Sequence, residues 1–134
     1  MTFTAEQTHS QFVATASSMA AALAVLGNRS GRRVAVLGDM LELGACARAE
    51  HYKVGRIAAE KADLLLAYGP NSDGMLTGAR TGGMSAKFSR AFTDKEKMVQ
   101  VLKTLAKPGD AILFKGSRGM RMEQVLEAFL QEET

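Results

Sequence analysis

The chain of 134 residues has one cysteine, two histidines and no long apolar run. Its single cysteine, Cys46, excludes an internal disulfide, and its two histidines, His9 and His51, form no metal-binding motif. No apolar run approaches the roughly 18 residues that cross a bilayer, and residues 1–6 lack the pattern of a signal peptide. We therefore expect a cytoplasmic protein without membrane contact or a metal site.

Tryptophan is absent, proline occurs twice, and the net charge is only +3. Because no basic stripe is interleaved with aromatic residues, the sequence argues against nucleic-acid binding. The hydrophobic fraction of 46% and the charged fraction of 23% are ordinary for a globular protein. A chain of this length buries roughly 65 to 70% of its unfolded surface as one domain.

Short apolar runs alternate with helical patterns along the chain. Three of these runs are uninterrupted, as strands buried on both faces are. A fourth alternates in polarity, so we expect it at an edge of the sheet. The predicted strands are residues 33–37, 63–68, 87–92 and 111–114.

Apolar residues at the spacing of one helix face mark the segments between the strands. Ser17 and Ser18 are good N-cap residues for the first helix, and Thr93 and Glu96 have capping-box spacing for the fourth. The predicted helices are 17–27, about 47–62, a short one around 75–79, one that Thr93 introduces and whose apolar face covers 98–105, and 122–130.

This alternation predicts an α/β fold with a Rossmann-like open, mostly parallel sheet and helices on both faces. We expect residues 1–16 to be an irregular arm or an edge strand and residues 17–134 to form the domain. Such sheets bind ligands beyond the carboxyl ends of their strands. The loops that start at Gly38, Gly69 and Lys115 should therefore form the binding edge.

A basic turn broken by glycine follows the last predicted strand. Lys115, Gly116, Ser117 and Arg118 can form an anion or carboxylate site next to a helix N-terminus. The alternative is a solvated basic turn that only satisfies the helix start. The spacing is neither that of a P-loop nor that of a dinucleotide-binding GxGxxG motif.

Two acids follow the strand at 33–37. Asp39 and Glu42 can receive a substrate amine or coordinate a cation, and they can equally be ordinary partners of a helix dipole. Ser117 lacks a GxSxG elbow, so a nucleophilic role is unsupported. We assign no catalytic residue.

Two motifs carry a family resemblance. Residues 34–44 read VAVLGDMLELG and residues 114–123 read FKGSRGMRME, with Tyr68 and Gly69 between them. Together they resemble the C-terminal domain of the Mur ligases, especially those that add D-alanyl-D-alanine to UDP-N-acetylmuramoyl-tripeptide in peptidoglycan synthesis. The resemblance covers roughly residues 17–130.

The resemblance implies a three-domain ligase that activates a carboxylate as an acyl phosphate, which the amine of the dipeptide attacks. ATP and magnesium would be bound mainly by a central domain that this chain lacks, so we expect the isolated chain to be inactive. Lys115, Gly116, Ser117 and Arg118 would face D-alanyl-D-alanine and the acyl phosphate. Asp39 or Glu42 would steer the attacking ammonium.

The sequence departs from the family before the first helix. The family usually has Asp-Asp-Ser-Tyr-Asn-Ala-Asn-Pro there, whereas residues 9–16 read HSQFVATA. We therefore assign no nucleotide contact to this segment. The alternative to a ligase domain is a standalone ligand-binding or interaction module, derived from that domain, without catalysis.

Overall fold

The computed structural model describes residues 4–7, 15–41 and 43–131. The strands are β1 (Thr4–Gln7), β2 (Arg33–Gly38), β3 (Leu64–Tyr68), β4 (Ser89–Phe92) and β5 (Ala111–Lys115). The helices are α1 (Ala16–Gly27), α2 (Ala47–Lys61), α3 (Ser72–Thr81), α4 (Lys95–Leu105) and α5 (Met122–Leu130). Short 3₁₀ turns are at Gly44–Cys46, Ala86–Phe88 and Arg118–Met120.

The described strands form one sheet in the order β1-β5-β2-β3-β4, and every pair is parallel. The predicted α/β fold is therefore confirmed. β4 lies at an edge, as its alternating polarity predicted, and β1 forms the other edge by pairing with β5. The chain moves outward from β2 to β3 and β4 and then returns to place β5 on the other side of β2. The order reverses between β2 and β5, where open α/β sheets bind ligands.

Each face of the sheet is covered by its own set of helices. Side chains from α1, α2 and α3 pack with one set of strand residues, which includes Leu37 and Leu113. Side chains from α4 and α5 pack with the alternate set, which includes Val36 and Phe114. The two apolar cores are separated by the sheet because successive residues of a strand point to opposite faces.

The N-cap residues of α1 and α4 differ from the predictions. The N-cap of α1 is Thr15 rather than Ser17 or Ser18: the Ser18 backbone N–H donates to Thr15 Oγ1 at 3.1 Å, and the Thr15 N–H donates to Ser18 Oγ at 3.0 Å. At α4 the cap is Asp94 rather than Thr93, and its carboxylate accepts from the Glu96 N–H at 2.9 Å. A carboxylate is the better partner for the positive end of the helix.

The backbones of α2 and α3 touch at two glycines. A Cβ built on Gly55 would overlap the carbonyl oxygen of Met75, and one built on Gly78 would overlap that of Tyr52. The two helices can approach this closely only because both positions lack a side chain. This close packing sets the position of α3 relative to α2.

We predict that Gly78→Ala lowers the free energy of unfolding by about 3 kcal/mol, since backbone atoms must move to admit the methyl group. Gly74→Ala in the same helix is the control, because the nearest atoms to its Cβ lie 3.7 Å away. Urea unfolding of the two variants measures the difference. Equal stability of the two would contradict the close crossing.

Candidate ligand-binding site

Three loops meet at the carboxyl ends of β2, β3 and β5. They begin at Asp39, Gly69 and Gly116, and direct hydrogen bonds connect the first loop to each of the other two. The expectation that loops from these strand ends form one edge is confirmed. The site is thus built where the strand order reverses.

The carboxylate of Asp39 joins the first loop to the second. It is 1% exposed. The backbone N–H of Asn71 donates to both Oδ1 and Oδ2 at 3.1 Å, and Asn71 Nδ2 donates to Oδ2 at 2.8 Å. Gly69, at φ +125°, leaves room for this carboxylate, because its Cβ would lie 2.5 Å from Asp39 Oδ1. Asp39 therefore works as a clamp between two strand ends in this structure, and a contact with a substrate amine stays a prediction.

His51 anchors the same loop from α2. Its ring is fully buried, and Nε2 accepts a hydrogen bond from the Met40 N–H at 2.9 Å. Nδ1 lies 2.6 Å from the carbonyl oxygen of Ala47. The tautomer that satisfies both contacts is neutral, with its proton on Nδ1. The 3.8 Å approach of Nε2 to Asp39 Oδ1 is then a neighbour contact rather than an ion pair.

Ser117 joins the first loop to the third. Its side chain is buried, its N–H donates to the carbonyl oxygen of Asp39 at 3.0 Å, and its Oγ accepts from the Leu41 N–H at 2.8 Å. Gly116 packs directly against Gly38, since its Cβ would lie 3.0 Å from the Gly38 Cα. These contacts hold the basic turn against the loop that follows β2.

The two basic residues of the turn differ in exposure. Lys115 is the last residue of β5 and is only 6% exposed. Its burial lowers the pKa of its ammonium below the ordinary value of 10.5. Arg118 is exposed and begins the 3₁₀ turn that leads into α5. A guanidinium at the rim with a buried ammonium nearby in the chain suits a carboxylate or phosphate ligand.

The structure brings together Asp39, Gly116 and Ser117 among the predicted site residues. Glu42 lies outside the described residues, so its role stays a prediction. Sequence reasoning missed Asn71 and gave His51 no role. The sequence offers a sign of the role of Asn71, because this residue follows a Gly-Pro pair at a strand end. No sequence pattern indicates the contact of His51 with Met40.

Within the part of the chain that the structure describes, no three His, Cys, Asp or Glu side chains are grouped as metal ligands. No described helix is long and apolar enough to span a membrane. The site combines the Asp39 carboxylate with main-chain N–H groups, the Ser117 hydroxyl, the Asn71 amide and the cations of Lys115 and Arg118.

An open parallel sheet with a basic turn at its switch point defines the class: an α/β domain of Rossmann-like architecture. The chain belongs to the Mur ligase, glutamate ligase domain family, whose model matches residues 11–118. The resemblance carried by the two motifs is therefore confirmed.

Curated relatives agree with this family. The UDP-N-acetylmuramoyl-tripeptide–D-alanyl-D-alanine ligase of Synechocystis sp. is 40% identical over 119 residues, which is 86% of this chain and 25% of the relative. The Escherichia coli ligase of the same name is 40% identical over 122 residues, which cover 89% of this chain and 25% of that protein. The chain thus spans about a quarter of the length of these relatives.

Solved structures show the same fold. The MurF ligase of Thermotoga maritima, crystallised in complex with ADP, superposes with a TM-score of 0.75 at 28% identity, over 93% of this chain and 28% of that chain. MurF of Acinetobacter baumannii gives a TM-score of 0.79 at 28% identity, over 96% of this chain and 28% of the other.

The lowered pKa of Lys115 predicts how stability depends on pH. Between its folded pKa and 10.5 the unfolded chain binds more protons, so the free energy of unfolding should rise with pH through this window. Lys115→Met should lack that rise. Denaturant unfolding of both proteins at several alkaline pH values measures it. A parallel pH dependence in the two would contradict a buried, destabilised ammonium.

Proposed function

We propose that this chain is the C-terminal domain of an ATP-dependent ligase that adds D-alanyl-D-alanine to UDP-N-acetylmuramoyl-tripeptide. The observation that carries the proposal is the 40% identity to ligases of that name over nearly the whole chain. The standalone binding module is not favoured, because the relatives reported above are all such ligases.

In this proposal the basic turn receives the incoming dipeptide. Arg118 pairs with the carboxylate of D-alanyl-D-alanine at the exposed rim, and Lys115 adds positive potential from the buried end of β5. Gly116 lets the backbone come close to Gly38. Ser117 and Asp39 hold the turn in place through the hydrogen bonds described above. Glu42, three residues after Asp39 in the sequence, is the proposed partner of the dipeptide ammonium.

The chemistry needs a second domain of the same enzyme. ATP, with magnesium, would convert the tripeptide carboxylate to an acyl phosphate, and the dipeptide amine would then displace phosphate to form the amide. The sequence has no P-loop to hold the nucleotide phosphates. We therefore assign ATP, magnesium and the UDP-linked substrate mainly to the rest of the ligase. This domain would bind the dipeptide and orient its amine.

We also propose that the ligase acts in the cytoplasm, because ATP and a UDP-linked precursor are available there. The central ATPase domain is the proposed protein partner, and D-alanyl-D-alanine the proposed ligand of this chain.

We expect Arg118→Ala, made in a full-length ligase with this domain, to raise the KM for D-alanyl-D-alanine by about tenfold or more, as expected for loss of a charge-assisted hydrogen bond. The KM for ATP should not change. Arg56→Ala removes an exposed arginine from α2 and is the matched control. Unchanged dipeptide kinetics in Arg118→Ala would remove this residue from the site.

We also expect the 134-residue chain alone to show neither ATP hydrolysis nor amide formation, since no P-loop is present. Phosphate release and product formation, measured with and without D-alanyl-D-alanine, check this. Turnover above background would place the nucleotide site within this chain. It would overturn the proposal that the rest of the ligase binds ATP.

A further inference from the structure

Three consecutive residues after β2 are each held by a different element of the fold. The Asp39 side chain is held by Asn71 at the start of α3. The Met40 N–H is held by His51 on α2. The Leu41 N–H is held by Ser117 Oγ in the turn after β5. Two of the three anchors, His51 and Asn71, belong to none of the motifs that mark the site.

The anchors reach the basic turn through the loop at 39–41. Ser117 is bound to this loop twice, through its N–H to the Asp39 carbonyl and through its Oγ to the Leu41 N–H. These two bonds flank Met40, so the Met40 N–H that His51 holds lies between the points where Ser117 attaches. A shift of Met40 must therefore move both partners of Ser117.

We propose that His51 and Asn71 are positioning residues that fix the Ser117–Arg118 turn for ligand binding. The inference rests on the proposed function for the identity of the ligand, D-alanyl-D-alanine, and on the geometry alone for the positioning itself. Neither residue needs to touch the dipeptide. Their role is to hold the loop at 39–41 so that the turn after β5 keeps one position.

The chemistry of His51 suits this role. The ring is fully buried, and each of its nitrogens is used by a main-chain group, so the imidazole is a bridge between α2 and the loop. Removal of Nε2 leaves the Met40 N–H buried without a partner, which is unfavourable enough to displace the loop. Removal of the Asn71 side-chain amide would likewise disturb the loop, because the buried Asp39 carboxylate would lose a donor.

The first experiment compares His51→Leu, which removes the acceptor, with His51→Gln, which keeps an acceptor near the position of Nε2. Val54→Ala is the control for general destabilisation, because Val54 is fully buried in α2 but makes no hydrogen bond to the loop. The readout is amide hydrogen exchange at Leu41 and Ser117 in the 134-residue chain, measured by NMR without ligand.

We expect His51→Leu to speed exchange at Leu41 and Ser117 by about tenfold or more relative to Val54→Ala, and His51→Gln to restore most of the protection. Exchange at these two amides that is no faster in His51→Leu than in Val54→Ala would overturn the proposal, because the anchor would then not control the turn.

The second experiment exchanges the carboxylate of Asp39 and the amide of Asn71. Asn71→Asp places two carboxylates together and should loosen the turn, whereas Asp39→Asn combined with Asn71→Asp restores one amide facing one carboxylate. In a full-length ligase we expect Asn71→Asp to raise the KM for D-alanyl-D-alanine at least fivefold, on the order of one lost hydrogen bond, with the KM for ATP unchanged. The double variant should recover most of this loss.

The two proposals fail in different ways. If the unmodified full-length ligase does not use D-alanyl-D-alanine, the proposed function is wrong, and the ligand-free exchange measurement still decides the positioning. If it uses the dipeptide and the KM is unchanged in Asn71→Asp, the positioning role is wrong and the function stands. A double variant no better than Asn71→Asp would likewise count against the clamp.

Discussion

The buried carboxylate of Asp39 is the group on which the site depends. A charge at 1% exposure is costly unless donors surround it, and Asn71 supplies them from its main chain and its side chain. This contact fixes where α3 begins, and the glycine crossing then fixes α3 on α2. Since α2 carries His51, which returns to the residue after Asp39, the contacts form a closed ring. The ring explains why a loop without regular structure can hold a defined position.

The sheet was predictable because burial and alternation are local properties of the sequence. Uninterrupted apolar runs became β2, β3 and β5, and the alternating run became the edge strand β4. The helix caps were less predictable. Thr15, Ser17 and Ser18 lie within four residues of one another, and Thr93 and Asp94 are adjacent. All of these side chains can accept from a helix N-terminus, and the choice between them depends on backbone angles that composition does not determine.

The site was predictable in location but not in the use of its groups. Ser117 has the hydroxyl and N–H of a ligand-binding residue, yet its N–H and an Oγ lone pair are engaged with the loop after β2. The bond to Oγ joins Leu41 and Ser117, which are 76 residues apart in the chain, so no local pattern predicts it. The two motifs that carried the family resemblance are the two segments that bond to each other. The two family motifs therefore mark segments that are linked in the structure. The assignment of Glu42 and Arg118 to a ligand stays a prediction.

Most of the bonds that hold this edge of the sheet start from main-chain nitrogen atoms. Met40, Leu41, Asn71 and Ser117 each donate an N–H, and three of the four donate to a side chain. Met40 and Leu41 can thus change their own side chains without losing these bonds. Asp39, His51 and Ser117 cannot, because their side chains accept, and Asn71 cannot, because its side-chain amide also donates to Asp39. Proline, which has no N–H, is the residue that none of the four donor positions can accept.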